Sequence, residues 1–123
     1  MPEGLDDLPA DEPVDLLNLM KFRAESLDGN GTGRDAYGRY GELAMPEMAS
    51  RGGKVLWAGD IGGVPLLQNG DGDWDFVALV RYPAPSVFLD AVQSDAYQEA
   101  AVHRVNGCEK YVILASKPMF GAL

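Results

Sequence analysis

The sequence is poor in the two residue types that most often carry chemistry at neutral pH, because it has one histidine and one cysteine in 123 residues. The single cysteine, Cys108, excludes an intrachain disulfide, which fits a reducing compartment. A nucleophilic cysteine needs a nearby base, and His103 is the one imidazole in the chain. We therefore interpret Cys108 as a small, partly buried apolar side chain. One histidine and one cysteine are fewer ligands than a metal site usually has, so we predict no metal and no tightly bound cofactor.

Basic residues are scarce as well, with 10 Lys and Arg against 19 Asp and Glu and a net charge of -9. The chain has no basic stripe of the kind that neutralises phosphates, which argues against nucleic-acid binding. An anionic membrane surface would repel it. The N-terminus carries acids where a signal peptide carries bases, and no apolar run reaches the length of a membrane span. We predict a cytoplasmic protein that binds neither nucleic acid nor membrane.

Five of the acids lie among the first thirteen residues, together with three prolines and no basic residue. This segment has neither helical nor strand periodicity. We predict a flexible acidic N-terminal tail over residues 1–13, a single domain over residues 14–118 and a short C-terminal tail over residues 119–123. Apolar residues make up 46% of the chain, which is enough to build a globular core at this length.

Hydrophobic periodicity and turn residues predict four strands and two helical regions. The strands are expected at residues 14–22, 54–61, 74–82 and 109–115. The first helix follows Thr32, a cap residue with Asp35 three positions on, and ends before Gly52. The second helical region begins at Pro85 and is divided by Ser94, which caps its second piece. The order β-α-β-β-α-β predicts an α+β fold of the ferredoxin-like type, with an antiparallel sheet and both helical regions on one face.

Both faces of the predicted strands are apolar, although the helices can cover only one face of the sheet. Strands of this kind are usually buried on both sides. We assign eight side chains to the uncovered face, namely Met20, Phe22, Val55, Trp57, Val77, Leu79, Tyr111 and Ile113. An exposed patch of that size would exceed what a soluble monomer usually tolerates. We therefore predict a homodimer in which two sheets pack face to face.

Several short motifs, in their order along the chain, resemble those of small dimeric α/β-barrel proteins. They are Asn18-Leu19-Met20-Lys21-Phe22, Arg51-Gly52-Gly53-Lys54-Val55-Leu56, Trp74-Asp75, Leu79-Val80-Arg81-Tyr82-Pro83, Phe88-Leu89, Ser94-Asp95-Ala96-Tyr97-Gln98 and His103-Arg104. The sequence is most similar to the domain-of-unknown-function 1330 group, over about residues 16–115. The resemblance implies a ferredoxin-like fold that pairs as a dimeric α/β barrel. The acidic leader and Ala96, where relatives commonly have Pro, depart from the pattern.

The resemblance implies no particular activity, because the group has none established. The wider superfamily includes monooxygenases, isomerases and haem enzymes, so the fold does not select a reaction.

Topology is expected to gather polar side chains at one end of the sheet, namely those of Arg23, Arg34, Trp74, Asp75, His103 and Arg104. His103 would be the simplest general base near neutral pH. Asp75 would orient it or pair with Arg104, which would steady an anion. The alternative is a structural pair that ties the third strand to the second helical region, since ion-pair networks also form without catalysis.

Three further side chains are candidates for ligand binding. Asn18 interrupts an otherwise apolar strand, and a buried amide needs partners, which a ligand carbonyl or a neighbouring strand would supply. Arg81 is expected along the inner face of the barrel, where it would bind a ligand carboxylate or pair with an acid across the dimer. Trp57 is expected on the same face, as a ligand platform or as a core or interface anchor.

These residues are compatible with two main functions. One is a cofactor-independent enzyme that acts on a small metabolite by proton transfer. Its catalytic residues would be His103 and Asp75, and its ligand-binding residues would be Asn18, Arg81, Arg104 and Trp57. The other is a non-catalytic dimeric ligand-binding or scaffold protein, in which His103 and Asp75 are structural. The resemblance to the superfamily implies a third function, that of a haem-degrading monooxygenase, because members of that kind use Asn, Trp and His together. Asn18, Trp74 and His103 supply these residue types, but the spacing from Trp74 to His103 is longer than the resemblance implies.

Overall fold

The computed structural model describes residues 8–121, and this part of the chain contains four strands and three helices. The strands are β1 (Val14–Phe22), β2 (Lys54–Asp60), β3 (Phe76–Tyr82) and β4 (Cys108–Ser116), and the helices are α1 (Gly33–Ala49), α2 (Pro85–Gln93) and α3 (Asp95–Gly107). The predicted order of elements is confirmed. Ser94 divides the second helical region into α2 and α3, and its hydroxyl accepts a hydrogen bond from the Tyr97 amide, as a helix cap does.

The strands form one antiparallel sheet in the order β2-β3-β1-β4. β1 and β3 are its inner strands, and Leu17 of β1 lies opposite Leu79 of β3 and Leu114 of β4. Helical crossovers join β1 to β2 and β3 to β4. This arrangement is the ferredoxin-like α+β fold, which confirms the predicted fold class.

The start of α1 is fixed by a capping box and by a close contact with the end of α3. The Thr32 hydroxyl accepts a hydrogen bond from the Asp35 amide at 3.0 Å, and the Asp35 carboxylate accepts one from the Thr32 amide at 2.9 Å. At Gly33 a Cβ atom would collide with the backbone carbonyls of Arg23 and Gly107. Glycine therefore lets α1 begin directly against the end of α3.

The face of the sheet that the helices cover differs from the one predicted. Leu16 of β1 packs in the core with Met48 of α1 and Ala91 of α2, and residues opposite each other in paired strands share a face. That face also carries Met20, Phe22, Val55, Tyr111 and Ile113. The prediction of an uncovered position for these five is wrong. Because both faces of β1 and β4 are apolar, alternation alone does not tell which of them meets the helices.

The uncovered face is apolar in its own right and carries Leu17, Leu19, Trp57, Val77, Leu79, Val112 and Leu114. The predicted positions of Trp57, Val77 and Leu79 are therefore correct. Trp57 is 45% exposed and Leu114 is 50% exposed. An irregularity in β2 between Val55 and Trp57 leaves Val55 on the helix side and Trp57 on the uncovered side.

Part of the N-terminal leader is packed. Leu8 lies against the core cluster that includes Val14 and Tyr82, and the Glu12 carboxylate lies 3.4 Å from the Lys117 ammonium. Residues 1–7 of the predicted tail lie outside the described residues, as do residues 122–123. The domain limits of 14 and 118 stay a prediction, although Leu8 already belongs to the packed structure.

Candidate functional site

A cavity of about 380 Å³ lies between the helix-covered face of the sheet and α1. Its wall is apolar except for one amide and four hydroxyls, which belong to Asn18, Tyr37, Tyr40, Tyr82 and Tyr97. We call it the tyrosine cavity. Ligand-binding cavities usually measure roughly 300–1,000 Å³ and combine an apolar lining with a few polar groups. The tyrosine cavity therefore has the size and polarity of a site for a small organic molecule.

The sequence of α1 leaves room for the cavity. Tyr37, Tyr40, Ala44 and Met48 follow helical spacing and turn one face of α1 toward the sheet. Gly41 lies on the same face, and a Cβ atom built on it would meet no atom within 4 Å. The small residues Gly41 and Ala44 thus keep space open that larger side chains would fill.

Asn18, in the middle of β1, lines this cavity. Its Nδ2 donates to the Leu16 carbonyl at 3.0 Å and to the Ala78 carbonyl at 3.4 Å. Two carbonyl neighbours fix the orientation of the amide, because carbonyls only accept. Among the described residues, no donor bonds to Asn18 Oδ1. The amide therefore bonds a neighbouring strand, as one of the sequence alternatives has it, and keeps an unused acceptor for a ligand that donates.

A row of hydrogen bonds runs from α3 to the cavity wall. Arg104 Nη1 donates to the Tyr97 hydroxyl at 2.7 Å, and the Tyr97 and Tyr40 hydroxyls lie 2.9 Å apart. The Arg104 guanidinium also lies 4.5 Å from the ring centroid of Tyr111, within the range of a cation–π contact. One bond between two hydroxyls uses one of their two hydrogens, so the row retains one hydrogen that can be donated to a ligand.

Three of the cavity tyrosines, Tyr37, Tyr40 and Tyr82, are neutral near pH 7. Burial raises the pKa of Tyr37 to about 12, and burial also raises the pKa of Tyr82 to about 12. Burial, together with the adjacent Tyr97, raises the pKa of Tyr40. These phenols therefore act as hydrogen-bond donors rather than as bases at neutral pH.

Arg81 and Trp57 lie on the uncovered face and do not line the tyrosine cavity. Arg81 makes two hydrogen bonds to the Asp15 carboxylate, at 2.6 and 2.8 Å. Asp15 is its neighbour across the β1–β3 pair and is buried. The arginine thus has a carboxylate partner within its own chain, and its predicted role in ligand binding stays a prediction.

Asp75 contacts β1 rather than the helices. Its Oδ2 accepts a hydrogen bond from the Phe22 amide at 2.8 Å, and its Oδ1 lies 3.5 Å from the Lys21 ammonium. It lines a second, smaller cavity of about 210 Å³, together with Trp74 and residues of the 61–75 connection. Within residues 8–121, no hydrogen bond or ion pair joins Asp75 to His103 or to Arg104.

His103 is half-buried on α3 and lines neither cavity. Its Nδ1 is buried without a hydrogen-bond partner in the described part of the chain. Hydrogen bonds from Ser26 and Asn30 lower the pKa of the Asp28 carboxyl, and the nearby Arg39 and His103 lower it further. His103 therefore lies near Asp28, in the loop before α1. A catalytic role for His103 and Asp75 stays a prediction.

The described residues, 8–121, contain neither a cluster of metal ligands nor a membrane-spanning helix. No group of three or more His, Cys, Asp or Glu side chains lies close enough together to hold a metal ion. No described helix is long and apolar enough to cross a membrane.

Residues 30–117 match the family described as "Domain of unknown function (DUF1330)". The chain belongs to the DUF1330 family. A solved structure, of a protein of unknown function from Rhodopseudomonas palustris, is 31% identical to this chain. The match covers 90% of this chain and 85% of that one, with a TM-score of 0.82.

More distant structures share the fold alone. One is SnoaB, a cofactor-independent oxygenase from Streptomyces nogalater, at 10% identity, covering 90% of this chain and 99% of that one, with a TM-score of 0.55. Another is a dimeric protein of unknown function with a ferredoxin-like fold from Bacteroides fragilis, at 11% identity, 89% and 99% coverage and a TM-score of 0.55. A search of the curated proteins found no match. The resemblance in sequence is confirmed, and the function of this DUF1330 protein is unresolved.

Of the predicted site residues, Asn18 is in the wall of the tyrosine cavity and Asp75 is in the smaller cavity. The hydrogen-bonded row of Tyr40, Tyr97 and Arg104 was not foreseen from the sequence as a site. Tyr97 and Arg104 are seven residues apart and hence lie on one face of α3. This spacing is the one feature of the sequence that points to their contact. Their meeting with Tyr40 depends on how α1 and α3 pack, which helical spacing does not specify.

Proposed function

We propose that this DUF1330 protein binds a small, largely apolar organic molecule in the tyrosine cavity. The observation that carries the proposal is the unused acceptor of Asn18 in an otherwise apolar wall. A polar atom that faces an apolar space without a partner costs free energy. A ligand with one N–H or O–H donor and an apolar body would satisfy that atom and fill the cavity.

The experiment uses indole, an apolar bicyclic molecule with a single N–H donor, as the probe. Isothermal titration calorimetry of the wild-type protein should detect saturable binding of indole. 1-Methylindole should bind up to about tenfold more weakly, because it lacks the N–H that donates to Asn18. Equal affinity for the two probes would show that Asn18 does not accept a hydrogen bond from the ligand. No binding of either would contradict the proposal.

Two glycines of α1 offer a matched pair of variants. Gly41→Leu should abolish indole binding, because the new side chain enters the tyrosine cavity where a Cβ atom has free space. Gly38→Leu makes the same change on the same helix at an exposed position, where a Cβ atom also meets nothing within 4 Å. The control should bind indole like the wild type. Loss of binding in both variants would mean that leucine disturbs α1 at either position, and that filling of the tyrosine cavity does not explain the loss.

A homodimer is part of the proposal. Its support is the apolar uncovered face, with Trp57 and Leu114 about half exposed, and the existence of a dimeric protein with the same fold. Two such faces packed together should bury at least about 1,000 Å² in total, as specific interfaces do. We also propose a cytoplasmic location, which cell fractionation would test.

Cofactor-independent catalysis is the second candidate function. Its specific support is the donor row of Arg104, Tyr97 and Tyr40, because a preorganised donor can stabilise negative charge that develops in a reaction. SnoaB is described as a cofactor-independent oxygenase, so the fold is compatible with such chemistry. If His103 and Asp75 act as a catalytic pair, Asp75→Asn should change turnover with little loss of stability. If Asp75 is structural, the variant should lose stability, because the Phe22 amide loses a charged acceptor.

A further inference from the structure

The charge of Arg104 has no anionic partner. In the described part of the chain no carboxylate lies within 4.0 Å of its guanidinium, and its Nε is buried without a hydrogen bond. The guanidinium is instead surrounded by the rings of Tyr40, Tyr97 and Tyr111, at 5.4, 5.8 and 4.5 Å. Arg104 is half-buried. Aromatic faces compensate a partly desolvated cation only in part, so an anion nearby would stabilise it further.

The hydrogen bonds from Arg104 to Tyr97 and between Tyr97 and Tyr40 carry the polarising effect of the guanidinium charge toward the tyrosine cavity. Since the guanidinium can only donate, the Tyr97 oxygen accepts from Arg104. This polarises the Tyr97 hydroxyl and makes it the better donor of the tyrosine pair. The Tyr97 and Tyr40 oxygens lie 2.9 Å apart, a distance at which either hydroxyl can donate. The polarisation by Arg104 favours Tyr97 as the donor, which leaves the Tyr40 hydrogen for the tyrosine cavity that Tyr40 lines. The row thus presents a polarised donor to the ligand space.

The ionisation of the protein itself cannot supply the missing negative charge near pH 7. Burial and the adjacent Tyr97 raise the pKa of Tyr40, so Tyr40 stays a neutral donor. Asn18 carries no charge, and the rest of the cavity wall is made of apolar side chains, a glycine and other tyrosines. An anion that balances Arg104 through the row would have to come with the ligand.

We infer that the natural ligand of the tyrosine cavity carries, besides the donor for Asn18, an acidic oxygen of the phenol, enol or carboxylic acid class, which is bound as the anion against Tyr40 and held by Arg104 through Tyr97. This inference rests on the proposed function and adds the chemical class of the ligand. It also gives Arg104, which does not line the cavity, a positioning role distinct from direct ligand contact.

The experiment compares 4-nitrophenol, whose phenolate absorbs visible light, with 4-nitroanisole, its neutral methyl ether. For wild-type protein the absorbance of bound 4-nitrophenol should titrate at a pKa about one unit lower than that of the free phenol, so that the phenolate binds about tenfold more tightly than the phenol. 4-Nitroanisole should bind with an affinity that does not depend on pH over the same range.

Three variants identify the source of the effect. Arg104→Met removes the charge, and Tyr97→Phe keeps the charge but breaks the row; both should abolish the pKa shift and still bind 4-nitroanisole. Arg34→Met is the control, since Arg34 is an exposed arginine paired with Asp60, and it should retain the shift. Because Tyr97→Phe removes a single oxygen, it keeps the test valid if Arg104→Met folds poorly.

The outcomes separate the two proposals. If indole and 4-nitroanisole bind but the bound phenol is no more acidic than the free one, the acidic-oxygen inference is overturned and the cavity remains a binding site. If Arg34→Met loses the pKa shift of bound 4-nitrophenol as fully as Arg104→Met and Tyr97→Phe do, the shift comes from the net positive charge of the protein and not from the hydrogen-bonded row. That result also overturns the inference. If none of the probes binds, the proposed function fails and the inference fails with it.

Discussion

Replacement of Asn18 by Leu separates a binding role of this amide from a structural one. The change removes two hydrogen bonds, to Leu16 and Ala78, of which the second is long at 3.4 Å. A hydrogen bond contributes about 0.5–1.5 kcal/mol net, so the loss is about 1–2 kcal/mol. Both carbonyls belong to inner strands that are paired on both sides, so sheet pairing continues to supply backbone partners.

The same change brings an opposing gain. A polar amide in an apolar wall costs about 1–3 kcal/mol by mutational estimates, and each buried methylene stabilises by about 0.8 kcal/mol. We therefore expect Asn18→Leu to leave the free energy of unfolding unchanged or to raise it by about 1 kcal/mol, while indole binds up to about tenfold more weakly because its donor has lost its acceptor. Urea denaturation at one fixed protein concentration measures the change. A loss of more than about 2 kcal/mol would show that the amide is structural and would refute the reasoning.

Three further predictions follow from other parts of the structure. Leu79→Asp should shift the protein toward monomer or aggregate in light scattering, because it puts an unpaired carboxylate on the uncovered face; wild-type protein that is monomeric at micromolar concentration would contradict the dimer. Removal of residues 1–7 should leave the melting temperature nearly unchanged, whereas Leu8→Ala should lower it because Leu8 packs on the core; the reverse result would place the stabilising contacts in the first seven residues. Burial raises the pKa of the Cys108 thiol to about 11, so a thiol reagent should react slowly at pH 7 in the native protein and rapidly after unfolding; equal rates would show that Cys108 is accessible.

Much of the fold follows from local sequence signals. Thr32 and Asp35 form the predicted capping box, and Ser94 divides the second helical region as expected. β1 spans the predicted residues, and the ends of the other elements differ by a few positions. Local signals of this kind act over a few residues and do not depend on partners elsewhere in the chain.

The assignment of faces could not be obtained in the same way. Met20 and Leu19 are both apolar, and only the packing of Leu16 on Met48 and Ala91 decides which face of β1 meets the helices. In β2, the irregularity between Val55 and Trp57 is not marked by glycine or proline. Where two faces are equally apolar, the period-two pattern fixes the alternation but not its direction.

The candidate site was predictable at one position and not at others. Asn18 stood out as a polar residue in an apolar strand, and it does line the tyrosine cavity. His103 and Asp75 were selected by residue type and topology, yet Asp75 bonds β1 and His103 lies near Asp28. Side-chain direction at the ends of elements decides such pairings, and topology specifies only which segments are neighbours.

The most direct test of ligand binding in the tyrosine cavity is a chemical-shift titration of the isotope-labelled wild-type protein with indole. We expect the perturbed amides and side chains to cluster around the tyrosine cavity, with the Asn18 side-chain amide and the residues around Tyr40 and Gly41 shifting most. Perturbations confined to the uncovered face, around Trp57 and Leu114, or no saturable change at all, would contradict the claim that this cavity binds small molecules.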